Sequence, residues 1–515
     1  MVLNKFIIKL FGQRIKSLER LREKPEEAQK RIFLYLISKG IQTKYGQEYK
    51  FDTIGGMDDF RNSVPVSDYA MLQPYINRMR SGENNVLWHS PVKWFAKSSG
   101  TTAAKSKYIP VSRESLIDCH LSGSKDTTLL YLLNNPESKI LFGRSLTLGG
   151  SRKIDEMNNR IRSGDLSAIM IHNSPWYAEL ARSPNRKIAL IPDFDKKTME
   201  IAKYSSQQNI TSFAGVPSWN LVLMNRILEY TQKSNLLELW PNLEVFFHGG
   251  VSFSPYIEQF RRIIPSSAMQ YMETYNASEG FFAFQDDPKD EAMLLALDNG
   301  VFFEFMPVTE LDKPSPSTHF IGEVKQDVNY ALVISTNAGL WRYLIGDTVK
   351  FTSLYPHKIK ITGRISHYIN VFGEELIVAN ADEALKNACA QTQAMVSEYT
   401  VAPIFMNASA KGRHEWLVEF DKYPNSVERF AEILDKALCA VNSDYEAKRH
   451  NNTTLLPLKL TVLPKNAFIK WMEAKGKIGG QNKIPRLSNT REYADQLLRI
   501  TDFKENGNGN VVINQ

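Results

Sequence analysis

WFAKSSGTTAAKSKYIPVS, residues 94–112, decides how the rest of the chain is read. Trp94, Phe95 and Ala96 suit the end of a buried strand, and Tyr108, Ile109 and Pro110 resume an apolar run. Between them come Ser98, Ser99, Gly100, Thr101 and Thr102, then Lys105 and Lys107. Hydroxyls, free backbone N–H groups and a nearby ammonium are what a polyphosphate requires. Gly100 lets the backbone approach a ligand closely. The spacing is not GxxxxGK[ST], because one glycine is present and the lysine falls elsewhere. Nor is it GxSxG. Taken alone, the run suits a polar surface hairpin equally well, so other stretches must decide.

At 515 residues the chain exceeds what one core usually supports, and two or three domains are expected. A net charge of +7 is small for this length and leaves room for anionic substrates. No aromatic-interleaved basic block calls for nucleic acid. Cys119, Cys389 and Cys439 are widely spaced, with no CxxC, so neither a disulfide framework nor a zinc site is indicated. A reducing, cytoplasmic setting fits. The start is basic and partly apolar, but its run Phe6 to Ile8 is cut by Lys9, too short for a signal peptide or a membrane span. An amphipathic helix with one face on the protein is expected there, with a membrane-surface helix as the minority alternative.

Residues 1–50 read as two helices, the second with a stripe of Phe33, Leu34, Leu36 and Ile37 and a stop at Gly40. Ser67 is the expected cap of the next helix. Strands are expected at 140–143, 187–192, 212–217 and 243–250, alternating with helices around Met199 and from Ser218 to Thr231, the pattern of α/β layers. Residues 292–362 read as a more antiparallel, β-rich section. Beyond Gly363-Arg364, helices at 380–395 and 425–441 flank strands at 415–420 and 458–462, a small α+β unit. The Asn/Gly-rich tail from about 505 is expected to fray.

Several short constellations carry chemistry. Phe247-His248-Gly249-Gly250 ends a strand, and its glycines let a flat ring lie against the backbone; a tight turn is the plain alternative. Tyr271 to Gly280 contains Tyr275, suited to stacking on a base, and Glu279 beside Ser278, suited to Mg²⁺. Glu273 reads as structural. In GLWRYLIGD, Asp347 follows a glycine turn and offers two oxygens to adjacent ribose hydroxyls, while Arg342 suits a carboxylate or a phosphate. Lys477 in KGKIGG and Lys483 in GQNKIPR compete as a late loop lysine that could enter a site on closure.

In this order, together with QTKYGQEY, FFEFMPV, AGLWRYLIGDTV and GQNKIPRL, these stretches resemble the auxin-responsive acyl-acid amido synthetase family, in its bacterial branch. That family lies within the firefly luciferase-like, acyl-adenylate-forming superfamily. The resemblance implies an α/β fold with a large N-terminal adenylation domain (residues 1–362) and a small mobile C-terminal lid domain (363–515). It implies ATP and Mg²⁺ as cofactors, a carboxylic acid and an amino acid as substrates, and amide formation through an acyl-adenylate. Ser98, Ser99, Gly100, Thr101, Thr102 and Lys107 would hold the phosphates, Gly249, Gly250 and Tyr275 would bracket the adenine, and Ser278 would also bind ATP. Glu279 would bind Mg²⁺, Asp347 the ribose, and Arg364 would lie at the hinge. Lys483, rather than Lys477, would be the catalytic lid lysine. Ala103-Ala104 departs from the glycines of many relatives, and GRISHYINVFGEE (363–375) is closer to the wider superfamily. An acid–thiol ligase using coenzyme A and a non-catalytic nucleotide-binding protein remain alternatives. Trp176, Trp219 and Phe303 are candidates for the acyl pocket wall.

Overall fold

The computed structural model describes residues 2–98, 107–150, 152–154, 158–250, 253, 256–311, 313, 315–365, 368–374, 376–406, 411–452, 454–474, 486–501 and 511–513. Four helices, not two, open the chain: Val2–Leu10, Gly12–Glu23, Pro25–Gly40 and Lys44–Glu48. Pro25 has no N–H to donate and stands at a helix start, with Glu26 and Glu27 in the first turn. Gly40 ends that helix where a side chain would meet the rings of Phe51 and Trp341 at 2.8 Å. Phe33, Leu36 and Ile37 are buried, but Leu34 is 53% exposed, one helical step off the inner stripe.

Three other expectations are corrected. The cap of helix Tyr69–Arg80 is Asp68, which accepts from Met71 N at 2.9 Å, whereas Ser67 Oγ donates to Trp341 O at 2.7 Å. Residues 140–142 form a 3₁₀ turn, and the strand follows at Arg144–Thr147. Residues 186–189 are helical, because Asn185 accepts from Ile188 N and caps a turn that the apolar run alone does not reveal.

An eleven-stranded mixed sheet organises the chain. Arg182–Ser183, Arg144–Thr147, Ile210–Gly215, Val245–Gly249 and Gln270–Ala277 run parallel to their neighbours. From Gln270–Ala277 onward, Gly280–Gln285, Met293–Leu295, His357–Arg364, Tyr343–Leu354, Asn329–Thr336 and Val301–Pro307 pair antiparallel. The sheet therefore changes character at the strand that carries Tyr275. Helices Phe194–Ser205 and Pro217–Thr231 cover the parallel half, and over the antiparallel half Phe33 of an opening helix packs on Phe302 and on Phe60 of helix Met57–Ser63. In a second sheet, Trp94–Ser98 pairs antiparallel with Lys107–Val111 and parallel with Arg162–Gly164.

Toward the C-terminus, helices Val378–Thr392 and Val427–Val441 cover a sheet of Met395–Ile404, Arg413–Lys422 and Lys459–Leu463. Val511–Ile513, inside the expected frayed tail, adds a parallel edge strand to it; residues 502–510 lie outside the described residues. Ile369, Val371 and Phe372 share one apolar cluster with Tyr256 and Phe260, and the Tyr256 hydroxyl donates to Val371 O at 2.5 Å.

Candidate active site

The strand Trp94–Ser98 leads into the hydroxyl run and the strand Lys107–Val111 leads out of it. Ser98 and Lys107 are direct cross-strand partners, so the two strands bracket Ser99 to Ser106 from either side. Ser99, Gly100, Thr101 and Thr102 themselves lie outside the described residues. Lys107 is 8% exposed, and its ammonium donates to the Tyr343 hydroxyl at 3.2 Å. The same ammonium lies 5.8 Å from the Tyr69 ring and 5.9 Å from the Tyr343 ring, within reach of both aromatic faces.

Tyr343 opens the strand Tyr343–Leu354, and Asp347 follows within a bulge between Leu344 and Thr348. Asp347 Oδ2 accepts from the Tyr275 hydroxyl at 2.6 Å, and both residues are buried. Tyr275 is thus pinned from two sides, by this bond and by an edge contact with Phe282 at 4.9 Å. Gly346 has φ +98°, a conformation that favours glycine, and its carbonyl accepts from Ile365 N at 2.9 Å. Asp347 pairs with Arg364 in the ladder, so the expected hinge arginine enters directly beside the expected ribose carboxylate.

Gly249 pairs with Thr274, next to Tyr275, and a side chain at Gly249 would stand 2.2 Å from Thr274 O. Gly250 turns the chain away with φ +83°. Ser278 and Glu279 form the two-residue turn between Gln270–Ala277 and Gly280–Gln285, and Glu279 is 8% exposed. Backbone register pairs Ser98 with Lys107, Gly249 with Thr274 next to Tyr275, and Asp347 with the backbone of Arg364, and two side-chain hydrogen bonds, Lys107–Tyr343 and Tyr275–Asp347, join these groups across strands, with Gly250, Ser278 and Glu279 following in the chain. Among the described residues no group of three or more His, Cys, Asp or Glu could hold a metal alone. A single carboxylate suits Mg²⁺, which completes its shell with phosphate oxygens and water.

Lys477 and Lys483 lie outside the described residues. The chain resumes where Val401 N donates to Arg486 O at 2.8 Å and Ser488 N to Val401 O at 3.0 Å. Asn489 accepts from Asn370 N at 2.8 Å, and Asn370 Nδ2 is 3.5 Å from Gly250 O. The first described stretch after Lys483 is thereby tied to the expected adenine glycines.

Other candidate residues lie elsewhere, Arg342 with one of its two expected kinds of partner. Arg342 serves a carboxylate: its Nε and Nη2 donate to Glu304 at 2.9 and 2.8 Å, and both residues are buried. Of the acyl-wall candidates, Phe303 is core, Trp176 is 77% exposed, and Trp219 packs on Phe194 and under Lys448. Two polar groups escaped sequence reasoning. His120 reaches Asn276, beside Tyr275, at 3.1 Å, and burial lowers its pKa to about 4. His248, preceding Gly249, stacks on Phe253 at 4.3 Å, and burial lowers it to about 3. Glu273, opposite His248 in the ladder, is pushed up to about 7 by burial and by the charge of Glu291.

This arrangement is that of an adenylate-forming fold. The solved GH3.15 acyl acid amido synthetase superposes with a TM-score of 0.60 at 18% identity, covering 94% of this chain and 95% of its own. Residues 14–269 match the GH3 family N-terminal domain, 294–364 the GH3 family central domain and 379–492 the GH3 family C-terminal domain. The chain belongs to the GH3 family. An indole-3-acetic acid-amido synthetase of Arabidopsis thaliana, GH3.4, is 22% identical over 548 residues, 92% of this chain and 91% of its own length. The jasmonoyl–L-amino acid synthetase JAR4 of Nicotiana attenuata is 23% identical over 406 residues, 66% of this chain and 69% of its own.

Proposed function

We propose that the chain joins a carboxylic acid to an amino acid through an amide bond, activating the acid with ATP. The observation that carries this is the Tyr275–Asp347 hydrogen bond, which unites two motifs of the expected nucleotide site next to the strand end at Gly249. In the first step a carboxylate oxygen bonds to the α-phosphorus as its bond to pyrophosphate breaks. In the second the amine bonds to the acyl carbon, the bond to AMP breaks, and the amine gives up a proton.

Lys107, with Ser98, Ser99, Thr101 and Thr102, binds the phosphates and offsets charge on the leaving oxygens. Tyr275, Gly249 and Gly250 hold the base, and Asp347 the ribose. Glu279 would hold Mg²⁺, which neutralises phosphate charge when bound. Residues beyond Gly363-Arg364 act as the lid, and Lys483 enters on closure. The named acids of the relatives, indole-3-acetic and jasmonic, set the first substrates to try.

The test is pyrophosphate release with MgATP across a panel of carboxylic acids, each without acceptor, with pooled amino acids and with coenzyme A. Acid-dependent pyrophosphate, with AMP release that rises with amino acids, is the expected result. AMP release that answers to coenzyme A alone overturns amide formation in favour of a thioester. Lys483→Ala should abolish adenylation while ATP still binds; unchanged adenylation would move the role to Lys477.

A further inference from the structure

The first helix, Val2–Leu10, presents an outward face of exposed residues. Asn4 anchors the inner side: it is fully buried and donates to Pro136 O at 2.9 Å and Ser138 O at 2.7 Å. Ile7 and Ile8 are half-buried on that side. The opposite side carries Lys5, Phe6, Lys9 and Leu10, all exposed, at helical spacings that put them on one face. Phe6 is 61% and Leu10 63% exposed. A surface helix of a water-borne protein ordinarily shows polar residues there.

Charge along the first eighteen residues is one-sided, with exposed Glu137 as the acidic neighbour between the two carbonyls that Asn4 bonds. Residues 1–18 contain Lys5, Lys9, Arg14 and Lys16 and no acidic residue. Of these, Arg14 is committed inward to Asp126 and Asp298. Lys5, Lys9 and Lys16 are exposed, and Lys16 is on the next helix. Phe11 N donates to Ile7 O and Ile15 N to Phe11 O, both at 3.0 Å, so helical bonding runs on across the break at Phe11. Lys125, from a separate helix, brings its ammonium within 5.7 Å of the Phe11 ring.

We propose that this face docks on an anionic lipid surface, with Phe6 and Leu10 entering the headgroup–acyl boundary and Lys5, Lys9 and Lys16 meeting lipid phosphates. Two apolar side chains one turn apart, flanked by lysines, are the chemistry of an interfacial helix. Each lysine adds attraction to anionic headgroups that fades with salt. No helix among the described residues is long and apolar enough to cross a membrane, so the contact is peripheral. It does not depend on the reaction proposed above.

The experiment is co-sedimentation of the full chain with vesicles of phosphatidylglycerol and phosphatidylcholine in equal parts, and with phosphatidylcholine alone. Binding to the anionic vesicles only, weakened by salt, is expected. Phe6→Glu with Leu10→Glu should weaken it at least about tenfold, as should Lys5→Glu with Lys9→Glu. Both double variants alter exposed side chains and should keep wild-type melting and pyrophosphate release in vesicle-free buffer. Wild-type protein left in the supernatant with anionic vesicles overturns the proposal, as does undiminished binding by Phe6→Glu/Leu10→Glu. A wild-type dimer in gel filtration that this double variant abolishes also overturns it, because a second copy would then cover the face.

Discussion

The Tyr275 hydroxyl donates to Asp347 Oδ2 at 2.6 Å, joining the last parallel strand of the large sheet to a strand of its antiparallel half. Tyr275→Phe removes this donor from a buried carboxylate, which costs about 1–3 kcal/mol. The variant should melt lower and show a KM for ATP raised about tenfold, the change that ~1.4 kcal/mol of lost positioning produces. Asp347→Asn keeps an acceptor for the tyrosine but loses the charge, and so should spare melting more than it spares the KM. Thermal melts and ATP–pyrophosphate exchange on both variants check the pair.

Lys107→Met keeps the aliphatic stem between Tyr69 and Tyr343 and deletes the ammonium. If that ammonium acts on phosphate oxygens, removing it should lower the rate of pyrophosphate exchange about 10²–10³-fold, the scale for loss of one electrostatic stabiliser. Melting should change little by comparison. An exchange rate within twofold of wild type would assign Lys107 to packing alone.

How much was legible beforehand depended on range. The motifs that gather at the site are local strings, and register brings them together: Ser98 opposite Lys107, Gly249 opposite Thr274, Asp347 opposite Arg364. Alternation of strands with helices announced the layered sheet. The Tyr275–Asp347 bond was not readable, because it joins residues 72 apart in sequence. His120 and Asn276, 156 apart, escaped for the same reason. Local errors had a different origin. Ser67 and Asp68 are both good caps, and only the Met71 N–H distinguishes them. A four-residue apolar run such as 188–191 has no period, and Asn185 tips its start to helix.

Arg342 and Glu304 form a buried, bidentate pair, with Arg342 also donating to Arg61 O at 2.6 Å and to Val64 O. Arg342→Met strands the Glu304 charge, a loss of about 3–5 kcal/mol. Arg342 also holds φ +43°, so the backbone depends on the side chain's contacts to keep that conformation. The expected outcome is a large fall in melting temperature or loss of soluble protein. Arg342→Met with Glu304→Gln should recover part of it, which chemical denaturation would measure.

Acid should destabilise the fold through its buried histidines. His248, lowered to about 3, and His120 and His357, lowered to about 4, are kept neutral by burial. The unfolded chain protonates these rings near the usual ~6.5. Below that value it binds more protons than the folded state, so stability falls with falling pH by up to about 1.4 kcal/mol per ring per pH unit. Glu273, raised to about 7, acts in the opposite sense between its ordinary value and 7, losing stability as pH rises. Three rings outweigh one carboxyl, and melting should drop as pH goes from about 7 to about 5. His248→Phe keeps the stack on Phe253 and removes one titration, so its drop should be smaller.

Lys448 places its ammonium 4.3 Å from the ring of Trp219, and the two come from opposite sides of the Gly363–Ile377 connection. Trp219 begins the helix that follows Gly215, at the same sheet edge as Gly249, and is held from behind by Phe194 at 4.7 Å. Gly373, with φ +85°, is wedged beside them: a side chain there would meet Lys448 Cε at 3.2 Å. A cation over an aromatic face is worth about 0.5–2 kcal/mol, and more when water is excluded. If the lid reorients between adenylation and amide formation, the contact exists in one arrangement and not the other, and it biases the balance between them. Lys448→Met retains most of the packing but not the attraction. It should therefore change the ratio of amide formation to pyrophosphate exchange by about 2- to 30-fold while leaving the melting temperature nearly unchanged. Equal effects on both half-reactions would mean that the contact persists through the cycle and serves the fold rather than the switch.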